Sequence, residues 1–99
     1  MARVDFSDDI VEFKCPGCGW RHLINTDPVI KPCWTFNGDL ERPTITPSIN
    51  AWRDYTAPDR PSERCHSFVT DGRIRFLGDC THALAGQTVD LPEIARKDE

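Results

Sequence analysis

A small, mostly β domain, α+β at most, is the fold class this sequence predicts, and three observations predict it. Eight prolines and six glycines are scattered through the 99 residues, so no stretch is free to form a helical bundle. Asp71-Gly72 stands between two β-rich runs, 65–70 and 73–77, a strong short-range signal for a two-residue hairpin. Cys15-Pro16-Gly17-Cys18-Gly19 sets two thiols on a tight turn between strand-like residues.

Taken in order, residues 1–9 are polar and read as loose. Ile10–Lys14 reads as a strand entering the cysteine turn, with residues 20–24 as its return, so that 10–24 forms a knuckle hairpin. Pro28 and Pro32 break the next stretch into a loop that carries Cys33. The main β-rich body is expected over 34–92, opening with Trp34-Thr35-Phe36 and a turn at Asn37-Gly38-Asp39. Prolines 43 and 47 flank a β-branched run in 42–49, and since proline cannot donate to a ladder, this segment reads as an edge strand or an extended loop. Residues 53–64 offer almost nothing to bury and read as a flexible solvent loop. One helical turn around 81–86, closed by Gly86, and a last short strand at 89–92 complete the domain. The single domain spans 1–99.

Composition narrows the function classes. Twelve basic residues against sixteen acidic ones leave a net charge of −4, which argues against a partner bound through a phosphate backbone. No run approaches the roughly 18 apolar residues of a membrane span, and the Met1-Ala2-Arg3 start does not read as a signal peptide. The chain is expected in the cytoplasm, with neither nucleic acid nor membrane as partner. Only 38% of its residues are apolar, and domains with so little core are often stapled by a metal or by disulfides.

The cysteines decide between the two staples. There are five, Cys15, Cys18, Cys33, Cys65 and Cys80, an odd number in a chain expected to stay in a reducing compartment. Cys15 and Cys18 are spaced as half of a zinc site, whereas a redox pair would open a helix from the second cysteine. The hairpin supplies the other half. With Asp71-Gly72 as a two-residue turn, Thr70 faces Arg73, so Cys65 falls opposite Gly78 and His66 opposite Leu77. Side chains repeat every second residue on one face. Cys80 then shares the face of Cys65, and Asp79 the face of His66. The expected metal set is Cys15, Cys18, Cys65 and Cys80 around a structural Zn2+, in a zinc-ribbon-like hairpin packed on a small sheet. His22 is the alternative ligand but reads as a strand-surface residue, and Cys33 as a partly buried thiol.

The ordered series Trp34-x-Phe36-Asn37-Gly38, Arg42-Pro43-Thr44-x-x-Pro47-Ser48, Cys65-His66-x-Phe68 and Gly78-Asp79-Cys80-Thr81-His82-Ala83-Leu84-Ala85-Gly86 resembles a family of small phage and bacterial proteins. Its members are similar to the serine peptidases of bacterial ubiquitination-like (Bub) operons, which use a Ser–His dyad. The resemblance spans roughly 13–92 and implies a nucleophile at Ser48. It implies a base at His66 or His82. His66 is preferred because the register places Asp79 on its face, where a carboxylate can fix the imidazole tautomer. The implied substrate is the tail of a ubiquitin-like protein, or its bond to a target, laid beside an exposed strand edge. The alternative is a non-catalytic zinc-binding module, a phage accessory or anti-defence protein that docks on another protein. Trp20, Trp34 and Trp52 would serve such a module as interface anchors, or else fill a core short of aliphatics.

Overall fold

The computed structural model describes residues 2–54, 59 and 61–94. Its strands are β1 (Asp5–Ser7), β2 (Ile10–Lys14), β3 (Arg21–Asn25), β4 (Thr35–Phe36), β5 (Ile45–Arg53), β6 (Glu63–Thr70), β7 (Arg73–Phe76) and β8 (Thr88–Asp90). They form a three-stranded sheet, β1-β2-β3, and a five-stranded sheet, β4-β5-β6-β7-β8, antiparallel throughout. Among the described residues there is no helix, so none is long and apolar enough to cross a membrane.

The hairpin at the centre of the larger sheet follows from its turn. Asp71 and Gly72 both have positive φ, 51° and 80°, as a type I′ turn requires. Thr70 accordingly pairs with Arg73, and the ladder continues to Ser67 opposite Phe76. The β7 strand ends there, yet the Leu77 amide still donates to the His66 carbonyl at 2.9 Å. Cys65, Ser67 and Val69 point into the core while His66, Phe68 and Thr70 alternate outward.

Several elements differ, in whole or in part, from the sequence expectation. Residues 5–7, read as loose, form β1, because Asp8 and Asp9 adopt positive φ and turn the chain back onto β2. Phe6 then stacks on Phe36 and Val4 is fully buried. The proline-flanked segment, read as an edge strand or an extended loop, is the start of β5, the longest strand; β6 pairs with it on one side, and β4 pairs with it on the other only at Ile45 and Thr46. Pro47 fits there because the ladder is broken around it. Four steps along β5 from Ile45 to Ile49 match two along β6 from Val69 to Ser67. The expected helical turn at 81–86 is a run of non-helical turns, with Gly86 at φ 80°. Of the expected loop 53–64, Arg53 and Glu63 are paired strand residues, while 55–58 and 60 lie outside the described residues.

The core sits where the two sheets meet. Val4, Val11, Phe13 and Ile24 come from the smaller sheet and its approach, and Ile45, Ile49, Val69, Ile74 and Phe76 from the larger. Buried Cys15, Cys65 and Cys80 belong to the same cluster.

Candidate active site and metal centre

The bulge in β5 sets how Ser48 meets His66. Had the register at Ile45–Val69 continued unbroken, Ser48 would stand directly across from His66. The bulge makes Asn50 the partner of His66 instead and leaves Ser48 diagonal to it on the same outward face. From there Ser48 Oγ lies 3.0 Å from His66 Nε2. His66 Nδ1 lies 3.1 Å from Asp79 Oδ2, where the chain leaves β7. A hydroxyl, an imidazole and a carboxylate are thus linked in series, each at hydrogen-bond distance.

Each member is held by its neighbours. The Trp34 indole N–H donates to the Ser48 carbonyl at 3.1 Å. The His66 amide donates to Cys80 Sγ at 3.2 Å, and the Cys80 thiol returns a bond to the His66 carbonyl at 3.2 Å. Arg64 approaches Asp79 at 3.7 Å. The hydrogen bond from His66 holds the Asp79 carboxyl below the usual carboxylate range, and the charges of His66 and Arg64 act in the same direction. An ionised Asp79 can accept only, so His66 Nδ1 carries the shared proton, which leaves Nε2, when unprotonated, to accept from Ser48.

The two histidines offered as bases by the sequence are placed differently. His66 touches Ser48. His82 instead packs its ring edge-on against Phe76, with centroids 4.5 Å apart, and accepts from the Leu84 amide at Nδ1. A side chain on Gly17 would run into both of those rings, so the knuckle sits directly on His82. His82 Nε2 is buried with no hydrogen-bond partner among the described residues.

On the inner side lies a second cluster. The Cys15–Cys18 turn is closed by the Cys15 amide on the Trp20 carbonyl and the Gly19 amide on the Cys15 carbonyl, with Gly19 at φ 77°. The ligand atoms of Cys15, Cys18, His22 and Cys65 all lie within 4.8 Å of one another and could hold a metal ion. Cys15 Sγ and Cys65 Sγ are 3.7 Å apart, and Cys18 Sγ and His22 Nε2 are 3.5 Å apart. Cys80, expected as the fourth thiol, is outside this group and forms another with Cys65 and His82. Cys33 is in neither, and none of the five thiols is in a disulfide.

The electrostatics of the first group are those of crowded donors. Hydrogen bonds from Cys18 and Cys65 push the Cys15 thiol down towards the thiolate, and the Cys15 and Cys18 thiols push that of Cys65 up. Burial works against a charged His22, but its bonds to Cys15 and Cys18 outweigh that and raise it to about 9. His22, the alternative ligand of the sequence reading, is the fourth donor of this group. In Arg21-His22-Leu23-Ile24 a polarity pattern would send Leu23 inward, whereas Leu23 is 62% exposed and His22 is buried beside Ile24.

Residues 2–77 match the family model described as bacterial ubiquitination-like system serine protease (BubE). The match covers most of the chain, and the protein belongs to this family. No curated protein and no solved structure gives a significant match.

Proposed function

We propose that this chain is a serine peptidase in which Ser48 is the nucleophile, His66 the general base and Asp79 the group that orients His66. The series Ser48–His66–Asp79, with separations of 3.0 and 3.1 Å, is the observation that carries this reading. Ser48 Oγ attacks the scissile carbonyl carbon while its proton passes to His66 Nε2. The C–N bond then breaks, and the amine leaves with the proton that His66 returns. A water attacks the resulting acyl ester, with His66 taking its proton and handing it back to Ser48. The backbone N–H groups of Ser48 or Ile49 are the nearest donors for the oxyanion, since Pro47 has none.

The substrate under this reading is the C-terminal tail of a ubiquitin-like protein, or the bond joining that tail to a target. Membership of a ubiquitination-like family supports a protein substrate. The test is to incubate the chain with a ubiquitin-like protein of such a system carrying extra C-terminal residues and follow the mass of the product. Release of the extension by the wild type and not by Ser48→Ala is the expected outcome; equal release by both would overturn the assignment of Ser48.

The metal under this reading is a structural Zn2+ on Cys15, Cys18, His22 and Cys65. Thiolates about 2.3 Å from a tetrahedral ion stand about 3.8 Å apart, and a thiolate and an imidazole about 3.5 Å. The 3.7 and 3.5 Å separations in the cluster suit that donor set. Four protein donors leave no open position, so the ion would tie the smaller sheet to β6 and take no part in the chemistry.

A further inference from the structure

Two strand edges face each other beside Ser48 without pairing. The β3 strand is the last of its sheet, so one of its edges has no strand partner among the described residues. The β5 strand is paired on the corresponding side only at Ile45 and Thr46, by the two-residue β4; the Trp34 indole takes the Ser48 carbonyl, and from Ile49 to Arg53 that edge has no strand partner among the described residues. Between them is a slot of about 300 Å³. It starts next to Ser48 and follows β5 from Ile49 to Arg53, a length of about 17 Å at about 3.3 Å per residue.

All three tryptophans of the chain line this one slot. Trp34 stands at the Ser48 end, bonded through its indole to the Ser48 carbonyl and through its amide to Asn25 of β3. Trp20 stands at the other end, with the Arg53 guanidinium 4.8 Å above its ring. Trp52 is on the outward face of β5 and is 61% exposed. Trp52 therefore does not fill the core, and an exposed indole at an open edge is a hazard unless something covers it.

From these edges and indoles, and resting on the peptidase reading, we infer that the substrate binds as an extended strand inserted between β3 and β5, its scissile bond at Ser48. Two open edges give the inserted chain hydrogen-bond partners on both sides, so its amides alternate between β5 and β3. The two faces of the slot differ. Towards the interior it presents buried His22, Ile24 and Ile49, which leave room only for small side chains. Towards solvent it presents Leu23 and Trp52, which accept large apolar ones. The segment that fits is extended, with small residues alternating with large apolar ones over about four or five positions, and any chain of that pattern with an accessible peptide bond is its chemical class.

The experiment compares covalent labelling of Ser48 by a small fluorophosphonate with labelling by a positional library of tetrapeptidyl diphenyl phosphonates, followed by intact mass. The best peptide probe is expected to react at least about tenfold faster than the small one, equivalent to about 1.4 kcal/mol. N-methylation of either alternate set of its amides is expected to abolish the advantage. Trp52→Ala lowers the ratio of the two rates, and Val29→Ala, on an exposed loop, leaves it unchanged. No peptide advantage, or an advantage lost on methylating only one set or neither, overturns the inserted strand. Binding is read without chemistry from the indole emission of Ser48→Ala titrated with the library as peptide amides, since every tryptophan lines the slot. An emission change without Ser48 labelling by either probe would overturn the peptidase reading and keep the slot. Labelling by the small probe with no emission change would overturn the slot and keep the peptidase.

Discussion

Cys65 and His66 are neighbours on β6 and point to opposite faces of the sheet, the thiol towards Cys15, Cys18 and His22 and the imidazole towards Ser48. The same alternation recurs at Asp79 and Cys80, where the carboxylate bonds the His66 ring and the thiol bonds the His66 backbone. The donor cluster is thus built on the reverse of the backbone that positions His66. Under the proposed function, metal occupancy and catalytic geometry would be physically one problem in this fold.

Metal removal is therefore expected to affect both stability and reactivity. Native mass spectrometry should find one zinc ion per chain, and a chelator should lower the Tm and slow Ser48 labelling together. Each kcal/mol lost corresponds to about 4–8 °C in a domain of this size. Cys65→Ser should reproduce both effects and Cys33→Ser neither; a chelator that leaves Tm unchanged would contradict a structural ion.

Replacing Asp79 by Asn exchanges an acceptor-only carboxylate for an amide that can donate to His66 Nδ1, so the tautomer is no longer fixed, while the shape is almost intact. Labelling of Ser48 should slow by about 10²-fold, within the usual range for a general acid–base contribution. The folded pKa of Asp79 is depressed, so its bond to His66 contributes stability fully above the ordinary Asp value of about 3.9. That contribution is lost as pH falls through the lower folded value. A Tm difference between wild type and Asp79→Asn should exist at neutral pH and close in acid. A difference that persists undiminished at low pH would show that it does not come from the ionised carboxylate.

Gly17→Ala places a methyl group where the His82 and Phe76 rings already lie. Overpacking of this kind costs about 1–3 kcal/mol, and here it would lift the cysteine turn off the larger sheet. Chemical denaturation should show the loss, and zinc affinity should fall with it. Unchanged affinity would mean that the knuckle docks independently of its metal.

Trp34→Phe keeps most of the ring but deletes the donor to the Ser48 carbonyl. A net loss of about 1 kcal/mol is ordinary for one such bond. Slower Ser48 labelling with nearly unchanged secondary structure, read by circular dichroism, is the expected result. Labelling at the wild-type rate would limit Trp34 to packing.

Much of this geometry was legible in the sequence because it descends from one turn. Asp71-Gly72 sets a two-residue loop, the loop sets the register, and the register sets the parity that puts His66 with Asp79 and Cys65 with Cys80. The bulge was not legible. Pro47 signals that a ladder bond is missing, but not that two extra residues are absorbed around it. Nor was β1, since two aspartates at positive φ are a rarer turn than Asp-Gly and depend on the packing of Val4 and Phe6. His22 was legible only as the second choice of ligand, because on an edge strand with one solvated face the apolar residue can be the exposed one, as Leu23 is. The facing of β3 and β5 is a tertiary relationship between two sheets, and no local pattern encodes it.

The most direct test of the Ser48–His66 pair is fluorophosphonate labelling mapped by peptide mass on the wild type, Ser48→Ala and His66→Ala. Labelling confined to the peptide carrying Ser48, and lost in both variants, is the result expected of a serine activated by His66. Labelling at another residue, or labelling of Ser48 that survives His66→Ala, would contradict it.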